Sequence, residues 1–269
     1  IRLSLVGSEM CIRDSTDLYG LRLLQTGSNN VIVQNLAANW CEFNNSFSGG
    51  SSYAAYGNEL VNCVLRHTGT TYSALAYVDS PYTLNNVRFE GITTGTGTRG
   101  GIFFVTNARF SNLCFVNCAV GITPGALTTT FSGASNCTFA NCTTGILDRA
   151  TTTTLNATHF RNLFHNCTTG ISLTDATKCR PVIDNVFNSC GTNVSNSGNW
   201  DVANLNAISS LSAAELFVDS VNGDYRIKHG SAHWGKNIGA GDGPEPTTTA
   251  PPSGTSMSGR RHASIFNNF

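Results

Sequence analysis

Several things are scarce in this 269-residue chain, and each scarcity removes a class of function. Charged residues make up only 12%, with Lys plus Arg and Asp plus Glu balanced at 16 each. No basic face is implied, so nucleic acid is excluded as the expected partner. No apolar run approaches the ~18 residues of a membrane-spanning helix. Helical periodicity is missing from the whole stretch of repeats described below, where no 12-residue window places apolar residues at i, i+3, i+4 and i+7. No Cys-x-x-Cys pair occurs among the ten cysteines, and Cys114 with Cys118 lacks a second pair or a histidine at ligand spacing. A metal centre is therefore not expected, and no cofactor is called for.

What is present is a repeat. Phe-Val-Asn-Cys, Phe-Ala-Asn-Cys and Phe-His-Asn-Cys begin at Phe115, Phe139 and Phe164, and each runs on to a Gly-Ile pair, Gly121-Ile122, Gly145-Ile146 and Gly170-Ile171. A worn copy reads Phe187-Asn188-Ser189-Cys190 and ends at Asn193-Val194. Upstream, the anchor position extends to Phe43, Leu65 and Phe89, with steps of 22, 24, 26, 24, 25 and 23 residues along the seven anchors. Asn86, Asn112 and Asn136 lie three residues before an anchor, and Asn45, Asn117, Asn141 and Asn166 lie two after. Gly49 and Gly95 lie six after theirs, as do Gly121, Gly145 and Gly170.

A fixed period of this length means a solenoid. The units are short runs with alternating apolar residues, such as Ile102-Phe103-Phe104-Val105, divided by Thr, Ser, Asn and Gly clusters. That is strand and turn chemistry. A leucine-rich repeat lacks its frame here, and a propeller blade needs about 40 residues. Strands of successive coils stack about 4.8 Å apart, so seven coils span roughly 30–35 Å. Stacking makes a Phe core, a ladder of Asn amides that satisfies buried turn groups, and columns of small apolar Cys. Glycines suit a turn with φ > 0. Cys118, Cys142, Cys167 and Cys190 form one column, and Cys41, Cys63 and Cys137 share another. Free thiols are the expected state, with vertical disulfides between adjacent coils as the alternative.

On the Phe-x-Asn-Cys-x-x-Gly-Ile repeat, residues 28–240 resemble the right-handed parallel β-helix superfamily, the pectin-lyase-like fold. A second sign is Gly223-Asp224-Tyr225-Arg226-Ile227-Lys228-His229-Gly230-Ser231-Ala232, similar to the segment that closes many such solenoids. The implied fold is all-β: a single-stranded right-handed parallel β-helix of about seven or more coils of 22–26 residues. Residues 16–241 form this domain, with 198–241 as its closing segment. Within it, Ser212 caps a short helix with Glu215 as capping-box partner. Residues 242–269 read as a flexible Pro, Thr, Ser and Gly-rich tail. Residues 1–15 do not continue the repeat and resemble a translated metagenomic adapter or assembly artefact.

Chemistry is thin. Glycoside hydrolysis needs two carboxyl groups at a defined separation, and the repeat zone offers few acids. Asp148 and Asp175 follow the Gly-Ile element in adjacent coils, with Arg149 and Lys178 beside them. These four are the candidate ligand-binding residues, and no catalytic residue is assigned. His159 reads as a packed or exposed strand histidine. Arg226-Ile227-Lys228 matches a word of polygalacturonase active sites but stands alone and reads as structural. The sequons at Asn136, Asn141 and Asn166 are explained by the repeat; in the ladder the amides of Asn141 and Asn166 would be buried and unable to carry a glycan.

The expected function is a non-enzymatic β-helix scaffold of an extracellular surface or a virus particle that contacts glycans. The alternative is a carbohydrate-active enzyme, a polysaccharide lyase or glycoside hydrolase, truncated at its N-terminus. A homotrimer is implied only by analogy with phage β-helices.

Overall fold

The computed structural model describes residues 18–20, 22–25, 31–34, 37–46, 52–56, 59–68, 73–78, 83–91, 100–104, 108–125, 131–148, 158–173, 181–195 and 206–243. The chain is a parallel β-solenoid. It cycles through three faces, one short strand per face. The first face consists of two four-stranded sheets, the second is one nine-stranded sheet, and the third is one eight-stranded sheet. Every neighbour pair in these sheets is parallel, as stacked coils require. The break on the first face falls between the strands Thr83–Asn85 and Ala108–Ser111.

All seven expected anchors fall into one register on the second face: Phe43 pairs with Leu65, Leu65 with Phe89, and so on through Phe115, Phe139, Phe164 and Phe187. The column is longer than the repeat implies. Leu23 precedes it and Ile208 follows it, giving nine members. Ile208 closes the column and is 71% exposed.

Two corners per coil hold this register. Gly20, Trp40, Asn62, Asn86, Asn112, Asn136, Arg161 and Asp184, each three residues before a column member, have φ between 51° and 65°. Asn117, Asn141, Asn166 and Ser189, each two residues after, have φ of 51–56°, and Gly91 has 95°. A left-handed residue turns the chain sharply onto the next face. Asn tolerates that conformation better than most L residues. Corner N–H groups donate to the coil above, as Asn141 N does to His165 O at 2.9 Å and Asn166 N to Asn188 O at 2.9 Å.

Corner side chains point away from the axis, which corrects one expectation. Asn117, Asn141 and Asn166 are exposed, not buried. The amide ladder still forms outside: Asn166 Nδ2 donates to Asn141 Oδ1 at 2.9 Å, and Asn86 Nδ2 to Asn62 Oδ1 at 2.8 Å. The buried amide ladder uses other residues, Asn162 and Asn185 with the partly buried Asn206. Asn162 Nδ2 donates to Asn185 Oδ1 at 3.0 Å and to Ala134 O at 2.9 Å; Asn185 Nδ2 donates to Asn206 Oδ1 at 3.0 Å.

Inside, the phenylalanines stack face to face. Ring centroids of Phe89, Phe115, Phe139, Phe164 and Phe187 are 4.8–4.9 Å apart, with interplanar angles of 5–10°. The glycine column is explained by this stack and not by φ. A Cβ on Gly145 would lie 2.6 Å from the Phe164 ring and 2.6 Å from Gly170 O; Gly121 and Gly170 meet the same obstacle. The register also places Gly101 above Gly121, since Ile102 pairs with Ile122; Gly49 and Gly95 lie outside the described residues. Both cysteine columns form, and the described cysteines are free thiols. Cys118, Cys142, Cys167 and Cys190 each direct Sγ at the carbonyl of the phenylalanine one coil back, at 3.5–3.7 Å.

The closing segment does two things. Ala207–Ser209 add the last strand of the nine-stranded sheet, and residues 210–243 fold back along the outer surface of that sheet. Gly239 N donates to Arg161 O at 2.8 Å, Ala240 N to Thr138 Oγ1 at 2.9 Å, and Asn136 Nδ2 to Asn237 O at 2.7 Å. Outward Leu163 and Val186 are covered by Leu216, Phe217, Ile227 and Ile238, a second small core. The strap begins with the helix Ala213–Leu216, where the Glu215 carboxylate accepts from Ser212 N at 2.8 Å and Ser212 Oγ at 2.7 Å.

The stack predicts an unequal pair of substitutions. Gly145→Ala must push apart two coils and should cost about 1–3 kcal/mol, read as a lower urea midpoint. Asn141→Gly, at a corner where glycine is at ease, should leave that midpoint nearly unchanged.

Candidate functional site

Of the four residues singled out from sequence, only Asp148 lies among the described residues, and it is not at the surface. It ends the strand Thr144–Asp148, is 0% exposed, and occupies an inward column beside Leu173. Arg149, Asp175 and Lys178 lie outside the described residues. Asp148 Oδ2 sits 3.4 Å from Nε2 of His159, which is also 0% exposed. His159 Nδ1 accepts the Ala134 N–H at 3.3 Å, and its ring packs on Phe131 with centroids 5.1 Å apart. This fixes the neutral tautomer, with Nε2–H donating to Asp148. Burial pushes the imidazole down to about 4. The pair is an internal strut of the solenoid.

The outer surface of the nine-stranded sheet changes character along its length. In the early coils it carries an ion-pair ladder: Arg22 to Glu42 at 3.3 Å, Arg66 to Glu42 at 2.6 Å, Arg66 to Glu90 at 2.9 Å, and Arg88 to Glu90 at 2.7 Å. Burial opposes the charge on Glu90, but Arg88 and Arg66 outweigh it and hold its carboxyl below the ordinary value. In the later coils the same surface mixes apolar Ala140, Leu163 and Val186 with Thr138, His165 and Asn188, and the strap packs on it.

A crevice of about 300 Å³ opens where the strap reaches the ladder. One wall is the solenoid corner, with Trp40, Asn86 and Asn112; the floor holds Arg88 and Cys114; the other wall is Gly223 to Arg226 of the strap. Arg88 is nearly buried and donates to the Gly223 carbonyl, which fastens the strap tip. Tyr225 leans edge-on against Phe217 with ring centroids 5.1 Å apart, and burial pushes its phenol up to about 12. Arg226 Nε donates to Asp224 Oδ1 at 2.9 Å, so the one carboxylate lining the crevice is held by an arginine. Two aromatic residues, two amides and an Arg–Asp pair thus line one opening.

Sequence reasoning missed this place because 185 residues separate Trp40 from Tyr225. The one legible hint was Trp40 itself, a tryptophan at a corner position that is Asn in the next four coils, at Asn62, Asn86, Asn112 and Asn136. Among the described residues no group of three His, Cys, Asp or Glu side chains is arranged to hold a metal ion, and no helix is long and apolar enough to cross a membrane. No family model matches the chain, and neither a curated protein nor a solved structure matches it.

The His159 geometry carries a pH prediction. A histidine whose folded value lies below its unfolded ~6.5 takes up its proton more readily on unfolding. Its contribution is full above about pH 6.5 and is lost as pH falls toward 4. Burial also lowers His165 and His233, so they act in the same direction. Unfolding free energy should drop by about 3 kcal/mol from His159 across that window, and His159→Gln should flatten the slope in pH-dependent urea titrations.

Proposed function

We propose that this chain is a non-catalytic β-solenoid scaffold of an extracellular surface or virus particle, and that it contacts glycans through the strap crevice. The observation that carries this reading is the meeting of Trp40 and Tyr225 with the amides of Asn86 and Asn112 in one opening. Sugars present apolar C–H faces and hydroxyl edges. Aromatic rings suit the first, and amide or guanidinium groups suit the second.

Two features support a binding role over hydrolysis. Glycosidases place two carboxyl groups across the scissile bond; the crevice has Asp224, engaged with Arg226. The buried Asp148, paired with His159, lies inside the solenoid where a polysaccharide does not reach. A rigid stacked rod with weakly charged sides also suits display of a site at a distance from an anchoring point.

Affinity electrophoresis against a panel of neutral and acidic polysaccharides tests the reading. Retardation by at least one polymer is expected, weakened about tenfold by Trp40→Asn, a change worth ~1.4 kcal/mol. Asn is the residue that the column uses elsewhere, so the fold is preserved. Absence of retardation, or retardation indifferent to Trp40→Asn and Tyr225→Ala, overturns the crevice assignment. Release of reducing or unsaturated ends overturns the non-catalytic role.

A further inference from the structure

We propose that Cys167 and Cys190 form an oxidation site, a pair of neighbouring thiols that a peroxide converts into a disulfide tying together two adjacent coils.

Four cysteines share one column, but they are not equivalent. Cys118, Cys142 and Cys167 are buried; Cys190, the last of the series, is half-buried at the edge of the core. Among the described residues no cysteine follows Cys190 in the column, so it has a thiol neighbour on one side only. Its partner is in register: Gly191 N donates to Cys167 O at 3.0 Å and Thr192 N to Thr168 O at 2.9 Å. Coils stacked in this way hold equivalent Cα atoms about 4.8 Å apart, inside the ~4.4–6.8 Å that a disulfide spans. The two side chains occupy the same column, each with Sγ directed at the phenylalanine carbonyl one coil back.

The chemistry balances with hydrogen peroxide as the oxidant. The Cys190 sulfur attacks one peroxide oxygen, the O–O bond breaks, and water leaves with the thiol proton. The resulting sulfenic acid faces Cys167, whose sulfur attacks it. The S–O bond breaks, the S–S bond forms, and a second water carries away the Cys167 proton. Two thiols are oxidised and one peroxide is reduced to two waters. Cys167 suits the resolving step because the strand register places it directly beneath Cys190, one coil back in the same column. The Cys41 and Cys63 thiols also neighbour each other, but both are buried and are expected to stay reduced.

This site is independent of glycan binding, and its test involves no ligand. The full chain is exposed to hydrogen peroxide under native conditions, then alkylated, digested and mapped without reductant. The expected result is a peptide pair joined through Cys167 and Cys190, two free thiols lost per chain, and a higher melting temperature that a reductant reverses. Cys190→Ser should abolish all three effects, while Cys142→Ser should retain the cross-link. Circular dichroism confirms that each variant is folded. The proposal is overturned if the folded chain keeps all its thiols, if Cys190 proceeds to sulfinic acid without a cross-link, or if the cross-link persists in Cys190→Ser.

Discussion

The face-to-face stack of phenylalanines sets the terms for the rest of the molecule. Rings repeating every 4.8–4.9 Å match the spacing of parallel strands, so ring packing and backbone hydrogen bonding favour the same register. A slip of one residue would turn every phenylalanine outward. The neighbouring positions then have little freedom. Gly121, Gly145 and Gly170 must lack a Cβ because the phenylalanine of the next coil occupies that space. The thiols of Cys118, Cys142, Cys167 and Cys190 fill the narrow corner beyond the anchor and reach a carbonyl one coil away. Asparagines take the left-handed corners because the path between faces demands φ > 0 there.

A stack of this kind leaves the outer surface of each sheet to be dealt with separately, and the chain uses two solutions on the second face. Early coils neutralise it with alternating charges from Arg22 to Glu90. Later coils, with Leu163 and Val186 outward, need a cover, and the strap supplies Leu216, Phe217, Ile227 and Ile238. The crevice lies at the seam between the two solutions. Arg88 belongs to both, pairing with Glu90 in the ladder and donating to the Gly223 carbonyl of the strap. The candidate site is therefore a by-product of how the surface is covered, which is why it draws on residues far apart in sequence.

The same logic explains what could be read from the sequence. Phe43 to Phe187 and both cysteine columns were legible because stacking repeats residue types at a steady interval. Leu23 and Ile208 were not, since neither is a phenylalanine and neither has an asparagine three residues before or two after it. The exposure of Asn141 and Asn166 was misread because a ladder of amides forms equally well inside or outside a corner; the direction follows from φ, which spacing does not reveal. Asp148 resembled a loop charge because its partner His159 lies in the following coil. The strap's position depended on contacts such as Ala240 with Thr138, for which the local sequence carries no periodic signal.

The register of the phenylalanine column is the claim on which the account rests. Nuclear Overhauser contacts between selectively labelled aromatic rings test it most directly. Strong contacts are predicted from the Phe139 ring to the Phe115 and Phe164 rings, with none between Phe115 and Phe164. Contacts that skip a coil, or a Phe139 ring with no phenylalanine neighbour, would contradict the stacked solenoid and the site built upon it.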